Sequence, residues 1–513
     1  MTNPIMDLKV VGRTLGAVVK ASSALPLLPI PVALVYHEFS CVPSFLVTFA
    51  LMLVLGLLLE RIPGDERQVR PRHAMVSVPL LWLLIPLLTA IPYRTCERMS
   101  WLDAYFESMS GWTTTGLTVL PDIDHAHRSI LFWRSLEQWV GGLGLVVTVI
   151  SILRFETPSL LYVAEAREER IRPNVVNTAK EMWKIYAVIT AAGTLLLWAL
   201  GMSPFDALNH AMTAVATGGF STRADSIAAY RSPAIELVTA LLMVLGATSF
   251  VTHYRAAKTL RVHPGGRLRR LLRALKHYAQ DLQFLVMLAL ILATTAYMAL
   301  HAKTPLPEAL RCYGYQAVSA ITCCGFSNAN VPSFPDYAKL ALTVLMIIGG
   351  STASTAGAIK VLRFLIMAEA IRVAIARRTR PVRGVIVPKI RDRALSEEEI
   401  VDAFTIAASY LFFVVVGTFI LVKWYGYDPV DALFEVASAQ GGVGLSSGIT
   451  GPDAPAGVKA LLIFHMWIGR LEVLPCLAAM YWALTMLKGL VTPGARVLAR
   501  DHRGRRAGGP DSG

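Results

Sequence analysis

The sequence predicts an all-α polytopic membrane protein: an N-terminal pair of spans, then four pseudo-symmetric units of span, pore loop and span around one pore. Three observations lead there. Of 513 residues, 54% are hydrophobic and only 16% charged, against about 25% charged in soluble domains. Ten apolar stretches approach or exceed the roughly 20 residues that a bilayer crossing takes. A short glycine-centred pattern also recurs four times, in step with those stretches.

In chain order the stretches are 15–36, 44–59, 75–91, 130–153, 185–200, 235–251, 284–299, 340–371, 404–422 and 458–487. Lys20, Pro26, Pro29 and Pro31 break the first. Stretches 340–371 and 458–487 are too long for one simple crossing and carry polar interruptions. The net charge of +14 fits this scheme, because Arg and Lys concentrate in 61–72, 154–184, 255–276, 372–393 and 496–506. Cytoplasmic loops carry such an excess, so both termini are expected inside, and nucleic acid is not the expected partner. His253, His263 and His277 fall in one of these basic loops and are expected to be solvated. Six cysteines with neither a C-x-x-C pair nor a Cys/His tract exclude a zinc or disulfide framework. The expected divisions are a two-span extension (1–72), units at 73–155, 156–256, 257–395 and 396–490, and a basic, disordered cytoplasmic tail (491–513).

Between spans on the opposite side lie 101–118, 204–222, 308–328 and 429–448, too long for turns and too short for crossings. Aligned on Gly116, Gly219, Gly325 and Gly444, they read SMSGWTTTGLT, AMTAVATGGFS, AVSAITCCGFS and VASAQGGVGLS. Thirteen residues before the glycine stand Asp103, Asp206, Cys312 and Asp431; six before it stand Ser110, Thr213, Ser319 and Ser438. Leu or Phe follows each glycine, then Thr or Ser. An Asp at the start suits the N-cap of a short helix and its positive end. The carbonyl end of that helix then points to the membrane midplane, where it favours a cation. Beyond the helix, glycine permits the dihedrals that aim carbonyls at a narrow lumen. Irregular backbone at membrane depth is tolerated only where it lines a cavity or is buried in protein. Four such loops can replace the hydration shell of an ion with carbonyl oxygens. The expected contacts are Thr114, Thr115 and Gly116; Thr217, Gly218 and Gly219; Cys323, Cys324 and Gly325; and Gly442, Val443 and Gly444. Glu107, His210, Gln316 and Glu435 share the position nine before the glycine. Two readings of them stand: attraction of cations at the mouth, or hydrogen bonding of the pore helix.

Stretch 340–371 is interrupted by Gly349, Gly350, Ser351, Thr352, Ala353, Ser354, Thr355, Ala356 and Gly357, ahead of Lys360. Small polar residues of this kind either unwind to line the cavity below the third loop or pack two helices closely. Arg470 interrupts the last stretch, two residues before Glu472. An ionisable residue at depth is a functional candidate by default. It is read as a barrier to cations near the gate, with a tether to Glu472 or to the loop as the alternative. An intramembrane enzyme using Glu107, His210 or the cysteines would need an H-E-x-x-H or paired-aspartate set, and none is present.

With these motifs in hand, the chain resembles the Trk/Ktr/HKT superfamily of potassium transporters, and its TrkH branch most closely. The resemblance rests on the four loops, FWRSLEQWVGGLGLVV at 132–147, GGSTASTAGAIK at 349–360, GRLEVLP at 469–475 and the extra N-terminal span pair. It implies potassium uptake across a bacterial inner membrane, passive or ion-coupled, with K+ as the transported ion and no organic cofactor in the chain. It also implies four filter glycines, an intramembrane gating loop at 349–357, a homodimer in the bilayer, and a cytoplasmic nucleotide-binding regulatory subunit resembling TrkA. Two departures bear on selectivity. The third loop has Cys323 and Cys324 where the family usually has threonines, and the fourth has Gly442 where it usually has threonine. Sodium or unselective cation translocation is the alternative they raise.

Overall fold

In a computed structural model of the chain, the described residues are 4–62, 70–145, 147, 159, 174–262, 266–379, 386–391 and 393–491. The N-terminal pair comprises α1 (Pro4–Ser22), α2 (Ile30–Val35) and α3 (Val42–Glu60). The break between α1 and α2 contains Pro26 and Pro29, which cannot donate to a helix ladder. Helices α1 and α3 cross through glycine. A Cβ on Gly16 would sit 2.5 Å from the Glu60 nitrogen, and one on Gly56 would sit 2.6 Å from the Lys20 nitrogen. Lys20, so awkward in an apolar stretch, forms an ion pair with Glu60 across this crossing.

The first unit contains α4 (Pro71–Thr89), α5 (Ile91–Cys96), the short α6 (Trp101–Trp112) and α7 (Arg128–Leu143). The second contains α8 (Val175–Ala199), the short α9 (Pro204–Val215), α10 (Pro233–Gly246) and α11 (Phe250–Val262). A basic helix, α12 (Arg267–Ala279), leads to α13 (Leu282–Leu300), the short α14 (Leu306–Ile321), α15 (Asp336–Ile348) and α16 (Val361–Thr379). Two paired two-residue strands precede α17 (Glu397–Tyr425), the short α18 (Pro429–Gly441), α19 (Ala456–Arg470) and α20 (Leu474–Val491). Proline begins α4, α9, α10 and α18, at the one turn where its missing N–H costs nothing.

Six spans among the described residues are long and apolar enough to cross a membrane: Leu8–Val35, Val42–Glu60, Pro71–Cys96, Val175–Ala199, Leu282–Leu300 and Glu397–Tyr425. The second span of every unit is built differently. Helices α7, α10, α15 and α19 have 16, 14, 13 and 15 residues, each too short to cross alone. Breaks were expected in 340–371 and 458–487, and both are present. The described parts of 130–153 and 235–251, which carried no such mark in the sequence, are interrupted as well. α7 is interrupted at Gly144, whose φ is 105°. The turn after α10 swings α11 through 103°, and the turn after α19 swings α20 through 114°. Hydropathy registers composition rather than direction, so a break made at one glycine, or with only Ala247, Thr248 and Ser249, leaves little trace in it.

Two further expectations change. The Asp residues at the starts of the short helices are not the N-caps. Ser100, Ser203 and Asp428 cap α6, α9 and α18, each accepting from the backbone at the start of its helix. That leaves Asp103, Asp206 and Asp431 one turn inside, free to take cations from elsewhere: Lys459 at 2.5 Å, Arg223 at 3.1 Å and Lys339 at 2.5 Å. His253 is not solvated either. It is buried, with the Tyr278 hydroxyl at 2.8 Å from Nδ1 and the Leu245 carbonyl at 2.8 Å from Nε2. The 255–276 loop is two helices, so the side chains of one can enclose those of the other. His263 and the tail beyond Val491 lie outside the described residues.

The glycine crossing makes a first prediction. Gly56→Leu must push α1 off α3 and should cost about 1–3 kcal/mol as overpacking does, read as a lowered midpoint of thermal unfolding in detergent. An unchanged midpoint would mean that the pair contributes little to stability.

Candidate functional site

The four short helices bring their C-terminal ends together. The N–H of the residue before each central glycine bonds back to the carbonyl five positions earlier: Thr115 to Ser110 at 2.9 Å, Gly218 to Thr213 at 2.8 Å, Cys324 to Ser319 at 3.0 Å and Val443 to Ser438 at 2.9 Å. To leave the helix this way, the residue two before the glycine turns left-handed in every unit, with φ of 57° at Thr114, 52° at Thr217, 56° at Cys323 and 63° at Gly442. The central glycines follow with φ of 88°, 74°, 88° and 92°.

Those glycines are required for a second reason. A Cβ on Gly116 would collide with the Gly218 carbonyl, on Gly219 with that of Cys324, on Gly325 with that of Val443, and on Gly444 with that of Thr115. Each strand thus lays a carbonyl against the glycine of a neighbouring strand, and the four contacts close into a ring. All twelve residues expected from the sequence at these positions meet here. Among the described residues, no group of three or more His, Cys, Asp or Glu could hold a metal ion; oxygen donors in the ring come from the backbone.

The residues nine before each glycine resolve the choice left open by the sequence. Glu107 accepts from the Thr118 hydroxyl at 2.9 Å and the Val119 N–H at 3.0 Å. Nε2 of His210 lies 2.9 Å from the Ser221 hydroxyl. Gln316 donates to Ser327 at 2.8 Å, and Glu435 accepts from Ser446 at 2.9 Å and the Ser447 N–H at 2.7 Å. All four are buried. They are braces that pin the returning strand to its pore helix, not an exposed collar at the mouth. Each reaches the Thr or Ser two positions after the glycine, which explains that position of the repeat.

A further layer was not read from the sequence. Arg134 of α7 is buried, pairs with Glu107 at 2.7 Å, donates to the Ser221 carbonyl at 3.2 Å and lies 4.0 Å from the Phe220 ring centre. Gln138, one turn on, donates to the Gly218 carbonyl at 2.6 Å and accepts from the Phe220 N–H at 3.0 Å. Helix α7 of the first unit therefore shapes the strand of the second. The signal was available: Arg134, Glu137 and Gln138 lie at helical spacing inside an apolar stretch, and such residues face the protein interior.

Below the ring lies the segment between α15 and α16. Its neck is closed by three backbone bonds, Ile359 to Ile347 at 3.2 Å, Lys360 to Ile348 at 2.8 Å and Val361 to Gly350 at 3.0 Å. The excursion docks on the break after α10: Ser351 and Thr355 donate to the carbonyls of Ala247 and Gly246, and Phe250 donates to that of Ala353. The Thr355 hydroxyl meets the Thr217 hydroxyl at 3.1 Å and the Val215 carbonyl at 3.1 Å. A Cβ on Gly357 would collide with the Gly441 carbonyl. The Cys323 thiol lies against the backbone of Gly350 and Gly357. Thr352 is held by Gln283, and the Ser354 hydroxyl by the Ser351 carbonyl at 2.6 Å.

Arg470 closes the arrangement. It donates to Thr114 Oγ1 at 3.2 Å, to the Thr355 carbonyl at 3.4 Å and to the carbonyls of Gly141 and Gly142. The loop tether weighed as an alternative is thus present. Glu472 is engaged by Lys360 at 3.0 Å and by Arg363. The left-handed residues therefore form a lower tier in which Thr114 touches Arg470, and Thr217 and Cys323 touch the loop. Gly442 belongs to the same tier, and its departure from threonine relieves a cost, because a β-branched residue with positive φ is strained.

The Arg134–Glu107 pair supports a second prediction. Removing one member of a buried pair costs about 3–5 kcal/mol, whereas replacing both with apolar groups is often neutral. Arg134→Met should therefore lower the unfolding midpoint sharply, and the double variant with Glu107→Leu should recover part of the loss. A double variant worse than the single would show that the Glu107 brace outweighs the charge pair.

Comparison with known proteins agrees with this geometry. A family model described as the TrkH cation transport protein matches residues 43–484. An uncharacterized cation transporter of Methanocaldococcus jannaschii is 32% identical over 489 residues, 94% of this chain and 98% of the relative. The Trk system potassium uptake protein TrkH of Salmonella typhimurium is 30% identical over 493 residues, 91% of this chain and 97% of that one. The crystal structure of the potassium transporter TrkH from Vibrio parahaemolyticus superposes with a TM-score of 0.79 at 28% identity, over 92% of this chain and 98% of that one. A family match over most of the length, joined to a helical membrane fold and a ring of glycine strands, makes this chain a member of the TrkH family of cation transport proteins, a transporter and not an enzyme.

Proposed function

We propose that the chain carries potassium across a bacterial inner membrane, with the four-strand ring as selectivity filter and the 349–357 loop with Arg470 as gate. The observation that carries this reading is the ring itself: four carbonyls, each set against a glycine Cα of the next unit. Such close approach supports a filter in which backbone oxygens of Thr114, Thr115 and Gly116, and of the nine equivalent residues, surround one axis. Carbonyl oxygens in that arrangement replace the hydration shell of a monovalent cation. The C-terminal ends of α6, α9, α14 and α18 add their negative poles to the same point. The relatives named potassium transporters favour K+ over Na+ as the cargo. Cys323 and Gly442 share the left-handed φ of Thr114 and Thr217, so the departures in the third and fourth strands leave that backbone turn in place.

An ion leaving the filter would next meet Thr355 and the Arg470 guanidinium. A fixed positive charge there opposes cations, and water between strand and loop is displaced by direct bonds. Opening requires the loop to leave Thr217 and the α10 break, and Arg470 would follow because it holds the Thr355 carbonyl. Lys360 anchors the far end of the loop to Glu472 and serves as its hinge. The basic segments at 255–276 and 372–393 then face the cytoplasm, where a nucleotide-binding regulatory subunit resembling TrkA would act on the neck of the loop. The same reading keeps the unit divisions drawn from the sequence, places both termini inside and pairs the chain as a homodimer.

Flux into liposomes under opposed K+ and Na+ gradients tests this. Wild type should pass K+ over Na+, Gly116→Ala should fall to background because its Cβ meets the Gly218 carbonyl, and Arg470→Ala should conduct several-fold faster. Equal K+ and Na+ flux would keep the pore and reject potassium selectivity. Gly116→Ala flux at the wild-type level would reject the ring as the filter.

A further inference from the structure

Helix α12 has a face that no other described element covers. Its flank toward α11 is fixed: Ala274 is buried, the Tyr278 hydroxyl meets His253 Nδ1 at 2.8 Å, His277 Nε2 meets the Thr259 hydroxyl at 2.9 Å, and Arg270 donates to the Leu260 carbonyl at 3.3 Å. Beside that flank stand Leu268, Leu271, Leu272 and Leu275, at positions i, i+3, i+4 and i+7, with 69%, 48%, 59% and 52% of their surface exposed. The third flank, about 120° round the helix from the leucines, carries Arg269, Arg273 and Lys276. Thirteen residues thus hold a leucine stripe, five Arg or Lys and no acid.

We propose that α12 is a docking helix for the anionic lipids of the cytoplasmic leaflet, lying in the membrane interface with its leucines in the acyl boundary. The inference rests on the orientation given under the proposed function, in which the basic segments are cytoplasmic. Position supports it first. Only Gln280 and Asp281 separate α12 from the apolar span α13. Asp281 caps α13 by accepting from Gln283 at 3.0 Å and takes the Thr252 hydroxyl at 2.6 Å. The helix is therefore pinned where a span enters the bilayer. Charge supports it next. A helix with an apolar face flanked by cationic residues lies in the interface, and each basic residue near an anionic surface adds roughly 1 kcal/mol of attraction. A neighbouring cavity of about 480 Å³ gives a headgroup somewhere to sit; Lys184, paired with Glu181 at 3.3 Å, lines it together with Tyr254, Lys258, Arg261 and Tyr278 of α12 itself, so cations outnumber the acid there. Docking there bears on the gate, because Gln283, in the first turn of α13, accepts from the Thr352 N–H at 2.8 Å and donates to its hydroxyl at 3.1 Å.

The test places a bimane fluorophore on Leu272→Cys in the full chain, with labelled wild type as blank, and reads quenching by brominated lipid. The vesicles are phosphatidylcholine alone or phosphatidylcholine mixed with phosphatidylglycerol. Quenching should be strong in the mixture, weaken with added salt, and fall for Arg269→Gln with Lys276→Gln, two charges worth on the order of 30-fold in the docking equilibrium. A label quenched equally in both vesicles, and equally in the charge variant, would overturn recognition of anionic lipid. A label that brominated lipid never reaches, and that dilution of the protein exposes to aqueous iodide, would assign the face to a second copy of the chain instead. Neither result depends on flux, so the proposal stands or falls apart from the filter.

Discussion

Everything at the centre of this protein depends on how closely four backbone strands approach one another. Each central glycine presents a bare Cα to the carbonyl of a neighbouring strand, at a separation that admits no Cβ. Glycine is usually discussed as a residue of free dihedrals, and φ near 90° does demand it here. The steric demand is independent and stricter, because the colliding atoms are backbone oxygens that cannot swing aside. Once that contact is fixed, the pore helices must end at one level, and the chain must return upward from it.

Holding such a constriction open is a problem of rigidity, since extended strands have no ladder of their own. Four equivalent braces, Glu107, His210, Gln316 and Glu435, supply it. Their chemistry differs, yet each offers a polar atom to the hydroxyl two positions beyond the glycine. The first unit is braced more heavily, with Arg134 and Gln138 reaching from α7 into the second strand. Gln138 uses one lone pair of the Gly218 carbonyl and leaves the other available. The quasi-symmetry is therefore exact enough to close a ring while the polar scaffold behind it differs from unit to unit.

The lower tier joins two structures that a sequence treats separately. Left-handed residues at the base of the strands touch Arg470 and the 349–357 loop directly. The loop in turn completes the bond pattern of the α10 break, accepting from Phe250 and donating to Gly246 and Ala247. Two of the broken spans have their end carbonyls engaged from outside: Gly246 and Ala247 by the loop, Gly142 by the guanidinium, which also joins the Gly144 N–H at Gly141. A half-buried cation held by backbone carbonyls uses the same physics that a conducted ion would use. That shared chemistry is the reason an arginine can stand beneath a proposed cation filter.

The sequence by itself determined the fold class, the twelve strand residues, the loop and Arg470, because each is written in local terms. Hydropathy marks spans, and a four-times repeated spacing of glycine marks equivalent turns whatever their surroundings. It also isolated the shared position nine before the glycine, without deciding between mouth and brace. Tertiary structure alone decided that choice, since the hydroxyl partner becomes a neighbour only when the strand folds back on its helix. It also moved the caps from Asp103, Asp206 and Asp431 to residues three earlier, because the cations that occupy those aspartates come from elsewhere in the chain, two from other helices and Arg223 from the segment after the second strand. The bends at Gly144 and after Gly246 were invisible for the same reason. A turn inside an apolar stretch is stabilised by whatever caps its open carbonyls, and those partners lie a hundred or more residues away in the chain.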